Sequence, residues 1–274
     1  MAACLNPPVR KKNEWPVALT MAGSDSGGGA GVQADLKTWA ALHVHGTSAI
    51  TCVTAQNPRR VTAVESCTPK MVRAQIEAVF EELPPAAAKT GMLYSARIIR
   101  EVARAWRNRP CALVVDPVMI ATSGARLLQA DAIRALTRDL FPLATLITPN
   151  VPEAEALLGH EIRTPEELRQ AARELQARFG CAALVKGGHL GTARESVDAF
   201  HDGKSEWLLV GDRVRGVNTH GTGCTLSAAI TGHLARGAKL LRAVEGGKQF
   251  VTHAISCSLR VAGHDVLSHG ACSH

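Results

Sequence analysis

The sequence predicts a three-layer α/β fold with a central, mainly parallel sheet and helices on both faces. Short apolar runs alternate strictly with longer amphipathic stretches between residues 17 and 186. Apolar runs of this length are typical of strands that are buried on both faces of a sheet. Because a strand and a helix alternate along the chain, successive strands are joined by right-handed crossovers and lie parallel.

Six strands and six helices are expected in this alternating part of the chain. The strands are predicted at 17–22, 48–55, 86–92, 111–116, 144–148 and 182–186. The helices between them are predicted at 31–43, 69–82, 95–108, 129–140, 152–158 and 164–179. Two helices have clear start signals, since Thr68 precedes Pro69 and Thr164 precedes Pro165.

The pattern changes after residue 186. The segment ESVDAFHDGKSEWLLV predicts two extended segments joined by a hairpin turn at Asp202-Gly203. Two further helices are predicted at 223–236 and 240–261.

The first residues differ in character from the rest of the chain. Residues 1–15 contain two prolines and a basic run without a periodic apolar pattern, which predicts a flexible arm. Residues 16–274 are expected to form a single domain, because 46% hydrophobic residues can fill one large core.

Composition argues against several classes of protein. No run approaches the ~18 apolar residues of a membrane helix, and the N-terminal residues lack the apolar core of a signal peptide. We therefore expect a cytoplasmic protein that does not bind a membrane.

The net charge of +7 is spread thinly and only 4% of residues are aromatic, so nucleic-acid binding is not expected. The eight cysteines form neither CxxC pairs nor zinc spacings, which predicts mostly reduced thiols.

The most informative segments lie where the predicted strands end. In open parallel sheets, ligands bind beyond the carboxyl ends of the strands. Six of the seven segments follow a predicted strand: AGSDSGGGAG, TAQN, KTGM, DPVM, TPNVPEAE, KGGH and NTHGTGCT. Neither the P-loop pattern nor the GxGxxG dinucleotide pattern is present in the sequence.

The segment NTHGTGCT predicts an anion-binding turn at a helix start. Gly221 and Gly223 let backbone N–H groups face a ligand, and the following helix places a partial positive charge there. Cys224 lies in the first turn, where the helix dipole lowers a thiol pKa and favours a role as base. A small buried thiol that only packs is the alternative.

Other polar residues near the strand ends have two interpretations each. Asp35 follows the glycine-rich loop and either hydrogen-bonds a flat ligand or is solvated. Asn150 and Glu153 suit water and Mg²⁺ beside phosphates, or they are a capping asparagine and an exposed glutamate. Lys186 either approaches a phosphate or is an ordinary surface lysine. We interpret His220 as a loop residue rather than a base.

Seven motifs occur in the order of a known family between about residues 17 and 231. They are AGSDSGGGAGVQADLKT, AITCVTAQN, KTGML, DPVM, LITPNVPEAEALLG, VKGGHL and NTHGTGCTLSAAI. This set closely resembles the hydroxymethylpyrimidine/phosphomethylpyrimidine kinases of the ribokinase-like superfamily. The resemblance implies phosphorylation of 4-amino-5-hydroxymethyl-2-methylpyrimidine, and then of its monophosphate, in thiamine biosynthesis. It also implies ATP and Mg²⁺ as cofactors and a homodimer, and leaves open a monovalent cation.

The resemblance assigns roles to individual residues. The pyrimidine pocket that it implies is formed by Gly23, Ala30, Asp35, Gln56, Met92 and Val118. It places Cys224 at the base position with Gly221 and Gly223 as the anion hole. Asp116, Asn150 and Glu153 would organise phosphates and Mg²⁺, with Asn150 and Glu153 holding the ion through water, and Lys186 would lie towards the nucleotide. Independently, Gln56 offers a donor and an acceptor to a pyrimidine edge, and Met92 and Val118 offer apolar walls.

The sequence departs from the family pattern in three places. The first loop has SDSGGG where the family usually shows SDPSGG, the residues before Pro16 match nothing, and AGHDVLSHGACSH at the end matches poorly. Two other functions are left open: a pyridoxal/pyridoxine-type vitamin kinase, and a non-catalytic vitamin-binding sensor.

Overall fold

The computed structural model describes residues 14–119, 128–188, 190, 194–214 and 220–270. It contains a sheet with strands β1 (Val17–Asp25), β2 (His45–Asn57), β3 (Arg60–Ser66), β4 (Ala87–Thr90), β5 (Ala112–Val115), β6 (Leu146–Ile147), β7 (Ala182–Lys186), β8 (Glu195–His201) and β9 (Glu206–Asp212). Their order is β3-β2-β1-β4-β5-β6-β7-β8-β9. Strands β2, β1, β4, β5, β6 and β7 are parallel, whereas β3, β8 and β9 pair antiparallel to their neighbours. The predicted α/β class with a mainly parallel sheet is confirmed.

The helices are α1 (Gly31–Ala41), α2 (Pro69–Glu82), α3 (Ala96–Trp106), α4 (Ala130–Ala135), α5 (Val151–Leu158), α6 (Pro165–Phe179), α7 (Thr222–Ala235) and α8 (Leu240–Ser256). A π-helical turn at Leu136–Leu140 and a 3₁₀ turn at Phe141–Leu143 extend α4. The predicted start signals are confirmed. Thr68 accepts a hydrogen bond from the Met71 N–H, and Thr164 and Glu167 form a reciprocal capping box.

The core has two parts, one on each face of the sheet. On one face α2, α3, α5 and α6 pack against β1, β4 and β5 through apolar residues such as Ile76, Ile99 and Leu168. On the other face α1, α7 and α8 pack through residues such as Trp39 and Ile230. The Trp39 indole N–H donates to the Ala228 carbonyl over 2.7 Å, which fixes α1 beside α7. Both helices therefore begin at the same edge of the sheet.

Two segments differ from the prediction. The helix predicted over 240–261 ends at Ser256, because the following residues form a small hairpin, β10 (Leu259–Val261) and β11 (His264–Val266). Its turn, Ala262-Gly263, has positive φ at both residues, which an α-helix does not allow. Strand β3 was not predicted, since it is largely exposed and lacks a continuous apolar run.

Two expectations from composition can be compared with the structure. Five cysteines are free thiols: Cys52, Cys67, Cys111, Cys181 and Cys224. Cys257 is disulfide-bonded, so the expectation of mostly reduced thiols agrees with five of the six described cysteines. Within the described part of the chain, no helix combines the length and apolar character needed to cross a bilayer. The arm predicted at residues 1–15 lies almost entirely outside the described residues.

Candidate active site

A cavity of about 780 Å³ opens at the carboxyl edge of the sheet. It is lined by residues from every one of the seven segments singled out in the sequence. Parallel strands end together at this edge, so loops that are distant in sequence converge there. Of the segment NTHGTGCT, Asn218 and Thr219 lie outside the described residues, and His220 to Cys224 line the cavity.

The two glycine motifs are in direct contact. Gly221 has φ +85°, and a Cβ placed on it would lie 1.9 Å from the Gly29 carbonyl oxygen. Gly31 has φ +57°, and its Cβ would lie 2.3 Å from the Gly23 carbonyl oxygen. Only glycine fits at such positions, because any side chain would overlap the neighbouring backbone. The glycine-rich loop and the start of α7 therefore form one continuous backbone surface.

Asp25 organises the glycine-rich loop. One carboxylate oxygen accepts from the Gly27 N–H at 2.8 Å, and the other accepts from the N–H groups of Gly29 and Ala30 at 3.1 and 2.9 Å. Burial alone would raise the pKa of Asp25, but hydrogen bonds from His220 and from the loop outweigh it and lower the pKa. Sequence reasoning missed Asp25. An aspartate followed closely by glycines is a signal for this kind of turn.

Gln56 lies at the mouth of the cavity. Its backbone exchanges hydrogen bonds with Ser26, both at 2.7 Å, which ties the end of β2 to the glycine-rich loop. The Gln56 side-chain nitrogen lies 3.2 Å from the His220 Nε2 atom. The Gln56 amide is therefore held at the cavity, where it can face the edge of a flat ring.

Asp35 does not line the cavity, so direct contact with a ligand is not supported. Its side chain is fully buried, and it accepts from Lys89 Nζ at 2.8 Å and from the Thr20 hydroxyl at 2.6 Å. Lys89, which sequence reasoning did not single out, does line the cavity. Burial opposes the charge on Lys89, but the groups around it, Asp35 foremost among them, together outweigh burial and raise the pKa of the lysine.

Asp116 and Lys186 form an ion pair at the other end of the cavity. Lys186 Nζ lies 3.0 Å from an Asp116 carboxylate oxygen, and the lysine side chain is only 15% exposed. Burial opposes its charge, but Asp116 and Glu153 outweigh this and raise the pKa of Lys186. A Cβ on Gly223 would lie 3.4 Å from Lys186 Nζ, so the ammonium group sits against the start of α7. The alternative of an ordinary surface lysine is excluded.

Asn150 and Glu153 form the capping box of α5. The Asn150 side chain accepts from the Glu153 N–H, and Glu153 accepts from the N–H groups of Asn150 and Met119, each at 2.9 Å. The capping interpretation is correct, but Glu153 is buried rather than exposed, with 1% of its surface accessible. Burial raises the pKa of Glu153, and Lys186 opposes that rise.

The residues present are compatible with Mg²⁺. Within the described part of the chain, no cluster of three histidine, cysteine or acidic residues could hold a metal by itself. Asn150 and Glu153 nevertheless supply oxygen atoms at the cavity wall. Mg²⁺ typically takes one or two carboxylates and completes its shell with water and substrate phosphates. The donor set therefore fits an ion that arrives with a nucleotide.

Cys224 lies in the first turn of α7, as predicted, but its acidity is opposite to the prediction. Burial raises the pKa of the Cys224 thiol to about 11, and the charge of Lys89 opposes this rise. The carboxylates of Asp35 and Asp116 add to the rise, and a hydrogen bond with the Gly31 backbone lowers the pKa. The helix dipole was visible in the sequence, whereas the loss of solvent around the thiol was not.

Comparisons with known proteins identify the family. The family profile described as "Phosphomethylpyrimidine kinase" matches residues 25–268. The hydroxymethylpyrimidine/phosphomethylpyrimidine kinase of Rhizobium meliloti (strain 1021) is 48% identical over 246 residues, covering 89% of this chain and 92% of that protein. The chain belongs to the phosphomethylpyrimidine kinase family.

Solved structures agree with this family. The phosphomethylpyrimidine kinase of Clostridium difficile 630 superposes with a TM-score of 0.78 at 43% identity, covering 88% of this chain and 99% of that one. The pyridoxal kinase of Staphylococcus aureus in complex with AMP-PCP and pyridoxal has a TM-score of 0.84 at 32% identity, with 94% of each chain covered. The ribokinase-like kinase fold implied by the resemblance is confirmed.

In this phosphomethylpyrimidine kinase family member, most of the residues singled out from the sequence surround one cavity. Those that line it are Gly23, Ala30, Gln56, Met92, Val118, Asp116, Asn150, Glu153, Lys186, Gly221, Gly223 and Cys224. Asp35 is the exception, since it lies behind Lys89. Asp25 and Lys89 were missed. Asp25 binds the loop that directly follows it, whereas Lys89 pairs with Asp35, which only the fold brings close.

Proposed function

We propose that this chain transfers the γ-phosphoryl group of ATP to the hydroxymethyl group of 4-amino-5-hydroxymethyl-2-methylpyrimidine, and then phosphorylates the monophosphate to the diphosphate. The observation that carries the proposal is the contact between Gly221 and Gly29, where two glycine-rich backbones meet at one cavity. One backbone can lie against a flat ring and the other can bind phosphate. The acceptor and the donor would thus be held side by side.

The pyrimidine end of the cavity combines polar and apolar groups. Gln56 would hydrogen-bond the edge of the aminopyrimidine, while Met92 and Val118 would contact its faces. Gly23 and Ala30 leave room for the ring to approach the backbone. The glycine-rich loop is held by Asp25, so its conformation is set before a ligand binds.

The phosphate end provides positive charge and backbone donors. The first turn of α7 places the positive end of the helix dipole and its backbone N–H groups at the cavity, and these would stabilise charge on a migrating phosphoryl group. Lys186, fixed by Asp116, would neutralise phosphate oxygens. Mg²⁺ held near Asn150 and Glu153 would supply further charge neutralisation when it is bound.

Cys224 would first lose its thiol proton to solvent, and the resulting thiolate would accept the proton of the substrate hydroxyl. The O–H bond breaks as its oxygen bonds to the γ-phosphorus, and the bond from that phosphorus to the leaving ADP oxygen breaks. The proton ends on the Cys224 sulfur. Because phosphoryl transfer depends mainly on positioning and charge stabilisation, the anion hole of Gly221 and Gly223 would contribute more than the base.

The second phosphorylation requires the cavity to accept a dianion. Arg59, in the turn between β2 and β3, and Arg60, the first residue of β3, both line the cavity and are exposed. Their guanidinium groups would attract the phosphate of the monophosphate substrate. A homodimer, a contribution from a monovalent cation and a cytoplasmic location remain predictions, as does a single domain over residues 16–274.

A pyridoxal-type kinase is the second candidate. The likeness to the S. aureus pyridoxal kinase favours it, since that structure contains pyridoxal and an ATP analogue. Pyridoxine also presents a hydroxymethyl group on a flat nitrogen heterocycle. Asp35 no longer discriminates between the two substrates, because it does not reach the cavity, so the Gln56 amide is left as the main determinant at the ring edge.

The stoichiometry of ADP release tests this proposal. With excess Mg-ATP and limiting hydroxymethylpyrimidine, we expect two ADP per pyrimidine above the rate without acceptor. Limiting pyridoxine should give much slower release. One ADP per pyrimidine would reject the second step, faster release with pyridoxine would favour the vitamin B6 kinase, and binding of the pyrimidine without ADP release would indicate a non-catalytic sensor.

A further inference from the structure

A buried ion pair lies directly beneath the candidate active site. Lys89 in β4 and Asp35 in α1 are both inaccessible to solvent, and their charged atoms are 2.8 Å apart. Thr20 in β1 donates to the second Asp35 oxygen, so both carboxylate oxygens are engaged. Burying two charges is costly unless they are well paired, and the replacement of such pairs by apolar residues is often neutral or stabilising. Stability alone therefore does not account for this pair.

The pair is oriented towards the cavity. Lys89 lines the cavity, whereas Asp35 lies behind it. A Cβ placed on Gly91 would lie 3.5 Å from Lys89 Nζ, so the ammonium group is also close to the loop after β4. Asp35 thus holds the ammonium group in place behind the cavity wall, and the charge of Lys89 acts from there on the groups that line the cavity.

Lys89 and the Cys224 thiol line the same cavity. Charged groups that act on this thiol come from four elements: Lys89 in β4, Lys186 in β7, Asp35 in α1 and Asp116 just after β5. Both carboxylates disfavour a negative sulfur, and so does burial. Among the charges, Lys89 has the largest effect on the thiol, and it favours the thiolate.

We propose that Lys89 is a positioning residue for phosphoryl transfer: held by Asp35, its ammonium group stabilises the negative charge on the Cys224 sulfur and then on the attacking substrate oxygen. The thiol first loses its proton to solvent, and the thiolate then takes the hydroxyl proton as the oxygen bonds to the γ-phosphorus and ADP leaves. Lys89 keeps its own proton throughout. This role rests on the proposed function, and it gives Asp35 the task of orienting Lys89 in place of contact with the substrate.

Alkylation of Cys224 tests the charge effect without any substrate. Iodoacetamide reacts with the thiolate, so its rate at fixed pH reports the ionised fraction. We expect Lys89→Met to slow alkylation of the Cys224 peptide at pH 8 about tenfold, as measured by mass spectrometry. The Cys67 peptide in the same samples is the internal reference. Lys248→Met is the matched control, because Lys248 forms a second largely buried pair, with Asp198 at 2.7 Å, away from the cavity lining.

Turnover of the proposed substrate provides the second readout. Lys89→Met should lower kcat about 100-fold while KM for ATP changes less than about threefold. If Lys89→Met does not fold, the charge-neutral double variant Lys89→Met/Asp35→Asn replaces it. Its kcat should still fall, but by less than about 100-fold, because removal of the Asp35 charge also favours the thiolate. Alkylation equal to that of the wild type, or a double variant with wild-type kcat, would overturn the role of Lys89. Because alkylation needs no pyrimidine, a wrong substrate assignment would leave that arm of the test intact.

Discussion

At the scale of single residues, the protonation of Cys224 decides whether it can act as a base. Burial raises the pKa of this thiol to about 11, so the thiol form dominates near neutral pH. A raised acid pKa means that the reactive thiolate becomes more abundant as pH rises, by about tenfold per pH unit below the pKa. If the thiolate is required, turnover should follow that rise.

The pH profile of turnover tests this requirement. Between pH 7 and pH 9 we expect kcat of the wild-type protein to rise by about tenfold per pH unit. Cys224→Ala should remove the slope and lower kcat by about 10²–10⁴-fold, with much smaller changes in KM. Cys181→Ala is the control, since burial also raises the pKa of that thiol, to about 12, but Cys181 does not line the cavity. A Cys224→Ala variant with normal turnover would rule out the base.

Single residues also show which features of the site cannot be predicted from the sequence. The glycines and Cys224 could be placed at the site because their motifs are local. Lys89 and Asp35 are 54 positions apart, and nothing in the sequence around either residue indicates that they pair. The predicted direction of the Cys224 pKa shift was wrong for a related reason, since the burial of the thiol depends on which distant segments cover it.

At the scale of elements, the start of α7 is the part of the fold on which the proposed chemistry depends most. The helix begins after Gly221, whose carbonyl accepts from the Thr225 N–H at 2.9 Å. Its backbone contacts Gly29 in the glycine-rich loop, so the position of the anion hole depends on close approach of two loops. Any side chain at Gly221 would separate them.

A comparison of two glycines with the same backbone conformation distinguishes the effect of backbone strain from the effect of the close contact with Gly29. Gly221 and Gly237 have φ of +85° and +90°, but a Cβ on Gly237 would meet nothing within 4 Å. Gly237→Ala should lose about 1–2 kcal/mol of unfolding free energy, measured in urea, from the left-handed conformation alone. Gly221→Ala should lose more, because its Cβ would also overlap the Gly29 carbonyl oxygen. Only Gly221→Ala should also lose at least about 100-fold in kcat. Equal turnover in the two variants would show that the contact with Gly29 is unimportant.

The predictability of the elements follows from how they are buried. Strands β1, β4, β5 and β7 are buried on both faces and gave continuous apolar runs. Strand β3 is exposed along most of its length and gave no such signal. Helix α8 was predicted too long, because the apolar pattern continues past Ser256 into the β10–β11 hairpin. In each case the outcome depends on contacts between segments that are distant in the sequence.

At the scale of the whole molecule, the C-terminal segment packs against helices α7 and α8 and against the glycine-rich loop. Leu267 and Ser268 are buried, and the Ser268 N–H donates to the Ala254 carbonyl in α8. His269 Nε2 lies 3.0 Å from the Thr225 hydroxyl in α7. Val266 and Leu267 lie beside Asp25 and the glycine-rich loop. The sequence could not place this segment, because it matches the family pattern poorly, yet it connects α7, α8 and the loop.

His269 makes this connection sensitive to pH. Burial lowers the pKa of His269 to about 4, and the charge of Lys37 adds to the effect. An unfolded histidine titrates near ~6.5, so above that pH neither state is protonated and the full stability is present. As the pH falls from about 6.5 towards 4, the unfolded state takes up the proton first and unfolding becomes easier. The loss is at most about 1.4 kcal/mol per pH unit and about 3 kcal/mol in total.

The variant His269→Gln separates the proton from the hydrogen bond, since glutamine can still bond Thr225 but does not titrate in this range. Urea unfolding at pH 7 and pH 4.5 should show that the wild-type protein loses about 2 kcal/mol more than the variant over this interval. Some dependence should persist in the variant, because burial also lowers the pKa of His233 in α7. If both proteins lose the same free energy, His269 is not held neutral against α7, and the C-terminal segment does not stabilise α7 through this contact.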